Sequence, residues 1–233
     1  MTIVAVKNKL VYILCCLFVF TVLLCGNFVV SNRVVSAMPS PKFTVVLDAG
    51  HGGVDTGCVG YSGTFESEIT LKITQKIEKY LSTLGLNVVQ TRTNMDGLYG
   101  TFANGFKLRD LNKRRDIILN CKADLLVSIH LNAFTDTSAH GAQVFYKIGS
   151  DESKELATNI QQLFVENLYK ARTTPQKGDF YILNCTDTPG ILIECGFLSN
   201  PEEEKLLTTD EYLQKISYNI SCGILSYFDL VKF

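Results

Sequence analysis

The sequence predicts an α/β layer protein around a largely parallel central sheet. Two observations carry this. Short runs of β-branched and aromatic residues alternate with longer stretches whose apolar side chains recur at three- and four-residue intervals. The 233 residues also suffice for one sizeable core and would crowd a second full domain.

In chain order, the first element is Leu10 to Val30, 21 residues without a charge, preceded by Lys7 and Lys9. That is long enough to span a bilayer. A secretory signal has the same basic start with a shorter apolar stretch, and Val35-Ser36-Ala37 offers the small residues signal peptidase prefers. Residues 1–37 therefore fit an uncleaved membrane anchor or a cleaved signal peptide. Either keeps the lysines inside and places the remainder on the extracytoplasmic side of the membrane. A lipidated Cys25 fits poorly, because leucines rather than a small residue precede it.

Residues 38–42, with Pro39-Ser40-Pro41, read as a linker, and the body runs over 43–230. "FTVVLD" is a buried strand, and glycine-rich "AGHGGVDTGCVGYSG" is a long loop after it. From Glu68 a helical stripe follows through Ile69, Ile73, Ile77, Leu81 and Leu84, with Gly85 placed to end it. "NVVQTR" is a strand, Leu108 to Cys121 a helix, and "ADLLVSIH" and "AQVFYKI" two more strands. Ser150 caps a helix that carries Leu156, Ile160, Leu163, Phe164 and Leu168 on one face. "FYIL" and "GILIE" are strand candidates. Asn200-Pro201 followed by three glutamates starts a helix, and a capping box from Thr208 to Glu211 opens the last one.

Charge and cysteines remove several classes of function. Lys7, Lys9 and Arg33 are the only charges before residue 38, so the body holds 19 basic against 23 acidic residues, about −4. Nucleic acid is excluded as a partner on that ground. Five cysteines in the body, with no CxxC pair, support neither a disulfide framework nor a cysteine zinc cluster.

"DAGHGG" at Asp48 to Gly53 has the look of a phosphate loop, but its spacing does not match. A dinucleotide motif from Gly50 needs glycine where Asp55 stands, and a Walker-type loop from Gly52 reaches Cys58-Val59 instead of Lys-Ser. Ligands of α/β sheets bind beyond the carboxyl ends of the strands. Three strands end in titratable groups there: His51, His130 and Glu194. Two of the three histidines at matching strand ends point to a metal, whereas His140, in a polar run, reads as an exposed loop residue. A hydrolytic zinc ion takes three protein ligands and leaves one position open. Glu66, Glu68 and Asp55 are all candidates for the third, although Glu66 and Glu68 also suit the helix dipole. Glu194 ends an apolar strand, where a carboxylate is costly unless used, so it is read as a general base; a salt-bridged or capping glutamate is the structural alternative.

Read together, "VVLDAGHGG", "GTFESEITL", "LLVSIHLNA" and "ILIECGFLSN" resemble the zinc-dependent N-acetylmuramoyl-L-alanine amidases of the Amidase_3 family, over about Phe43 to Leu230. The resemblance implies an α/β domain with a mixed, mostly parallel sheet of about six strands flanked by helices. It implies one Zn2+ held by His51, Glu66 and His130, with Glu194 catalytic. It also implies cleavage of the amide between N-acetylmuramic acid and L-alanine of peptidoglycan. Ser67 and Asn184 stand where lysine and arginine are frequent. A short catalytic domain behind an apolar N-terminus, with no wall-binding module, is similar to the CwlD-type members that act in spore cortex synthesis and muramic-δ-lactam formation. Such a domain is expected to need its anchor or an accessory protein to reach substrate and hold zinc. Two alternatives remain at this level: a catalytically idle peptidoglycan-binding or scaffold protein, and a peptidase acting within the stem.

Overall fold

A computed structural model describes residues 43–231. The signal or anchor expected over 1–37 and the linker over 38–42 lie outside the described residues. Strands β1 (Thr44–Ala49), β2 (Asn87–Gln90), β3 (Leu125–Asn132), β4 (Gln143–Lys147), β5 (Gln176–Gly178) and β6 (Gly190–Phe197) form one sheet in the order β2-β1-β3-β6-β4-β5. β2, β1, β3 and β6 are mutually parallel, and β4 joins antiparallel to β6 with β5 parallel to β4. The sheet is thus mixed and mostly parallel, as the sequence implies.

The helices are α1 (Glu66–Thr83), α2 (Phe106–Asn120), α3 (Asp151–Asn167), α4 (Tyr181–Asn184), α5 (Pro201–Leu207) and α6 (Asp210–Tyr227). Successive strand residues face opposite sides, and this alternation sorts the two layers. Leu125, Val127, Ile129 and Leu131 of β3 meet Ile69, Ile73 and Ile77 of α1, Phe164 of α3 and Ile216 and Ile220 of α6 in the main core. Leu126 faces the other way, into a smaller cluster with Val46, Ile118, Ile182, Leu183 and Leu192 under α2 and α4. The next residues on this thinly covered face are polar: Asp48 on β1, Ser128 and His130 on β3, and Glu194 on β6. The chemistry sits where the second layer runs out.

α1 ends as its sequence indicates. The Leu86 amide donates to Leu81 O at 3.1 Å and the Gly85 amide to Ser82 O at 3.1 Å, which closes the helix with Gly85 at φ +85°. Nothing lies within 4 Å of a Cβ built there. Gly85→Ala therefore tests backbone strain alone: the urea midpoint is expected to fall by the equivalent of about 1–2 kcal/mol with unchanged slope. No loss would show that the left-handed turn relaxes freely.

Two expectations are corrected. Phe180 to Leu183 is not a strand: Tyr181–Asn184 forms a single helical turn, and the strand is the preceding Gln176–Gly178. A four-residue apolar run cannot be told from a helical turn by periodicity, and β5, an edge strand paired only to β4, has no apolar pattern to reveal it. The last helix is capped by Thr209, whose Oγ1 accepts from the Tyr212 amide, while Thr208 closes α5.

Candidate metal centre

β1 delivers the chain to Gly50, whose amide donates to Ile129 O at 3.0 Å and keeps the loop against β3. A Cβ on Gly50 would lie 2.4 Å from His130 Cε1, so only glycine lets the imidazole rest on this backbone. His51 then adopts a left-handed φ of 61°, uncommon for a side-chain-bearing residue. Arg114 secures that turn: its Nη2 donates to His51 O at 2.6 Å and its Nη1 to Ala49 O at 2.7 Å. The guanidinium is itself paired with Asp48 at 2.6 Å and Asp110 at 2.5 Å. Arg114, with Ser128 and Thr91, outweighs the effect of burial on Asp48 and lowers its carboxyl to about 2.

Glu66, the first residue of α1, reaches both histidines. Its Oε1 lies 2.9 Å from His130 Nδ1 and 3.3 Å from His51 Nε2, while its Oε2 accepts the Cys58 amide at 2.8 Å. The Leu131 amide also donates to Oε1, at 3.0 Å. His51, Glu66 and His130 each offer a ligand atom, all within 4.8 Å of one another, and they form the one such group among the described residues. Burial would lower the His51 imidazole, but its bonds to Glu66 and Asp55 prevail and lift it to about 8. Burial would raise Glu66, yet the two imidazoles hold its carboxyl well below the usual range.

The other two candidates for a third ligand have different places. Asp55 Oδ2 lies 3.0 Å from His51 Nδ1, on the ring edge turned away from Glu66. Glu68 is not part of the group. Glu194 stands opposite His130 in the β3–β6 register, and its Oε2 is buried with no hydrogen-bond partner among the described residues. Burial, reinforced by Glu66 and opposed by the two histidines, pushes its carboxyl up to about 7. His140 lies in its loop half-buried, not fully exposed, with Nδ1 2.6 Å from Ser138 O. The five cysteines of the body are free. Ser67 is buried and Asn184 bonds Asp179, and neither departure replaces a member of the His51, Glu66 and His130 group.

A cleft of about 250 Å3 opens beside His51 and His130, walled by Tyr99, Phe106, Tyr181 and Ile182. The Tyr181 hydroxyl donates to Asn112 Oδ1 at 2.8 Å, which pins the ring between α4 and α2. Lys107 sits at the cleft with Nζ 3.2 Å from Asp55 Oδ1. The roles of Arg114 and Arg92 escaped the sequence reading, since arginine in a helix or after a strand reads as surface. Arg114 did leave one signal: it precedes Ile118 by four residues, on the inward face of α2.

Two imidazoles and a carboxylate at the carboxyl end of an α/β sheet, next to a buried acid and an open cleft, define a hydrolase with a site that can hold a metal ion. The family model described as N-acetylmuramoyl-L-alanine amidase, Amidase_3, matches residues 45–226, and the chain belongs to that family. The germination-specific N-acetylmuramoyl-L-alanine amidase of Bacillus subtilis is 36% identical over 196 residues, 82% of each chain. The CwlD amidase of Clostridioides difficile, solved in complex with the GerS lipoprotein, is 38% identical with a TM-score of 0.77, over 82% of this chain and 100% of that one. The catalytic domain of CwlV from Bacillus (Paenibacillus) polymyxa var. colistinus is 30% identical with a TM-score of 0.71, over 81% and 99%. The chain is accordingly a peptidoglycan amidase that cleaves between N-acetylmuramic acid and L-alanine. Its substrate places its action outside the cytoplasm. Among the described residues no helix is long and apolar enough to cross a membrane.

Proposed function

We propose that the domain over 43–230 is a zinc-dependent amidase in which His51, Glu66 and His130 hold the ion and Glu194 is the general base. The single observation that carries this is the convergence of three donor atoms within 4.8 Å beside a buried carboxylate oxygen that has no hydrogen-bond partner among the described residues. The donor set of two nitrogens and one carboxylate oxygen suits zinc. Bound there, zinc supplies Lewis acidity, which activates water and polarises the lactyl carbonyl.

The chain's own residues do the rest. Asp55 accepts the Nδ1 proton of His51, which leaves Nε2 as the ring atom that would hold the ion. The Cys58 and Leu131 amides orient the Glu66 carboxylate. Glu194 takes the proton of the attacking water and returns it to the alanine nitrogen as that group leaves. The wall formed by Tyr181, Ile182 and Phe106 excludes water from one side of the scissile amide.

The resemblance to the relative named for germination and to CwlD supports a role in spore cortex synthesis and muramic-δ-lactam formation, and the lipoprotein-bound relative supports an accessory protein. We further assign residues 1–37 to a signal peptide or membrane anchor. The deciding experiment is mass spectrometry of purified peptidoglycan digested with and without zinc. Peptides beginning with free L-alanine are expected only with the metal; fragments cut within the stem would refute the reading.

A pH dependence follows from His51. Its imidazole is raised from 6.5 to about 8, so a proton occupies it up to that pH and must leave when a cation binds. Zinc affinity of chelator-stripped protein is expected to rise about tenfold per pH unit below roughly pH 8 and to level off above it. Competition against a chromophoric chelator from about pH 6.5 to 9 measures this. A flat profile would contradict the assignment of His51.

A further inference from the structure

We propose that Arg92 is a positioning residue for the metal group: its buried guanidinium ties the segment that carries His51 to the segment that carries Glu66 and sets the distance between them. This rests on the reading of those residues as ligands. Arg92 follows β2 and is 3% exposed. Its Nε donates to Ala49 O at 3.0 Å, and its Nη2 to Gly50 O at 2.9 Å, Ser67 O at 2.7 Å and Thr70 Oγ1 at 3.1 Å. Nη1 donates to Asn94 O at 2.9 Å. Ala49 and Gly50 lead into His51, and Ser67 follows Glu66. One planar fork thus spans both ligand-bearing segments.

The contrast with Arg114 makes the assignment specific. Arg114 donates to Asp48, Asp110, Ala49 and His51, so it stabilises the His51 turn without reaching α1. Arg92 reaches both. It also forms no ion pair among the described residues; its bonded partners are four carbonyls and a hydroxyl. A buried cation without a bonded carboxylate is expensive to keep, and burial, with Arg114 adding to it, draws the guanidinium down to about 10. Fold stability alone gives little reason for a charge here.

The carbonyls explain it. β1 pairs with β2 only as far as Leu47 and Gln90, so Ala49 O lies beyond that ladder, Gly50 O lies beyond the end of β1, and both take donors from elsewhere. Thr70 completes the junction, because its hydroxyl donates to Gly50 O at 3.0 Å while accepting from Arg92. A lysine would keep the charge but could not direct donors to both segments from one rigid plane.

The test uses the full chain purified in detergent, stripped of metal, and titrated with zinc against a competing chelator, with the thermal midpoint of each stripped protein recorded. Arg92→Lys is expected to weaken zinc binding about 10–100-fold, the usual effect of removing an orienting group behind a ligand. Gln161→Leu is the control: Gln161 is a buried polar node that bonds Val144, Ala142 and Arg172, and its loss should lower the midpoint at least as much with zinc affinity at the wild-type level. Wild-type affinity in Arg92→Lys would overturn the proposal. Equal losses of affinity in both variants would overturn it too, since stability alone would then explain them. If Arg92→Lys does not fold, Thr70→Val removes only the bridging hydroxyl and should weaken zinc several-fold; unchanged affinity there is the refuting result. Glu66→Ala in the same titration separates the two levels, because wild-type affinity in that variant would sink the ligand assignment itself and not merely the role of Arg92.

Discussion

Glutamine in place of Glu194 is expected to lower kcat by roughly 10²–10⁴-fold with zinc affinity unchanged. The side chain is nearly isosteric, so the cleft keeps its shape, but the amide cannot take a proton from water or hand one to the departing alanine nitrogen. A second consequence distinguishes loss of a base from general damage. The folded Glu194 carboxyl sits near 7 instead of 4.5, which means ionising it costs stability, and the cost grows as pH rises from about 4.5 to 7 and is constant above. At full ionisation this is on the order of 3 kcal/mol. Stripped Glu194→Gln should therefore be the more stable protein above neutral pH, with the gap closing as pH falls toward 5. Thermal midpoints across that range, paired with initial rates on muropeptide, test both parts. An active variant, or one that is less stable at every pH, would remove Glu194 from the proposed role.

Glu66→Ala carries the other large effect. Its carboxylate is shared by both imidazoles and accepts two backbone amides, from Cys58 and Leu131. Zinc affinity should fall by more than the 10–100-fold typical of orienting groups, and release of L-alanine-headed peptides should drop to background. The stripped protein should lose about 1–3 kcal/mol for each buried amide left without an acceptor. Glu68→Ala, two residues on, is the matched comparison and should change neither metal binding nor rate. Equivalent behaviour of the two variants in a chelator competition would return the third ligand to the open question it was on sequence grounds.

His51, His130 and Glu194 are legible in the sequence because a strand's end shows in its apolar run, and parallel strands put their ends on one rim. Residue chemistry does not choose among Glu66, Glu68 and Asp55. All three lie within or just after one glycine-rich loop, and a loop's path depends on long-range contacts: Gly50 on β3, Arg92 and Arg114 on its carbonyls, Tyr99 on the Val54 amide. Only the motif resemblance singled out Glu66. The short β5 was missed for a related reason, since three polar residues acquire strand geometry from their partner β4 and not from any pattern of their own.

What the amino-acid order determined by itself is local and periodic: which runs form strands and helices, which strand ends carry imidazole or carboxylate, and where Gly85 stops a helix. Those follow from side-chain periodicity and backbone freedom over a few neighbours. The tertiary structure alone decided which acid meets both imidazoles, which one turns to the far edge of His51, and which buried guanidiniums hold the loop. The first and third of these join residues 15 to 65 positions apart, where only the packed sheet and helices set the distance; Asp55 is four residues from His51, and its place depends on the path those contacts give the loop.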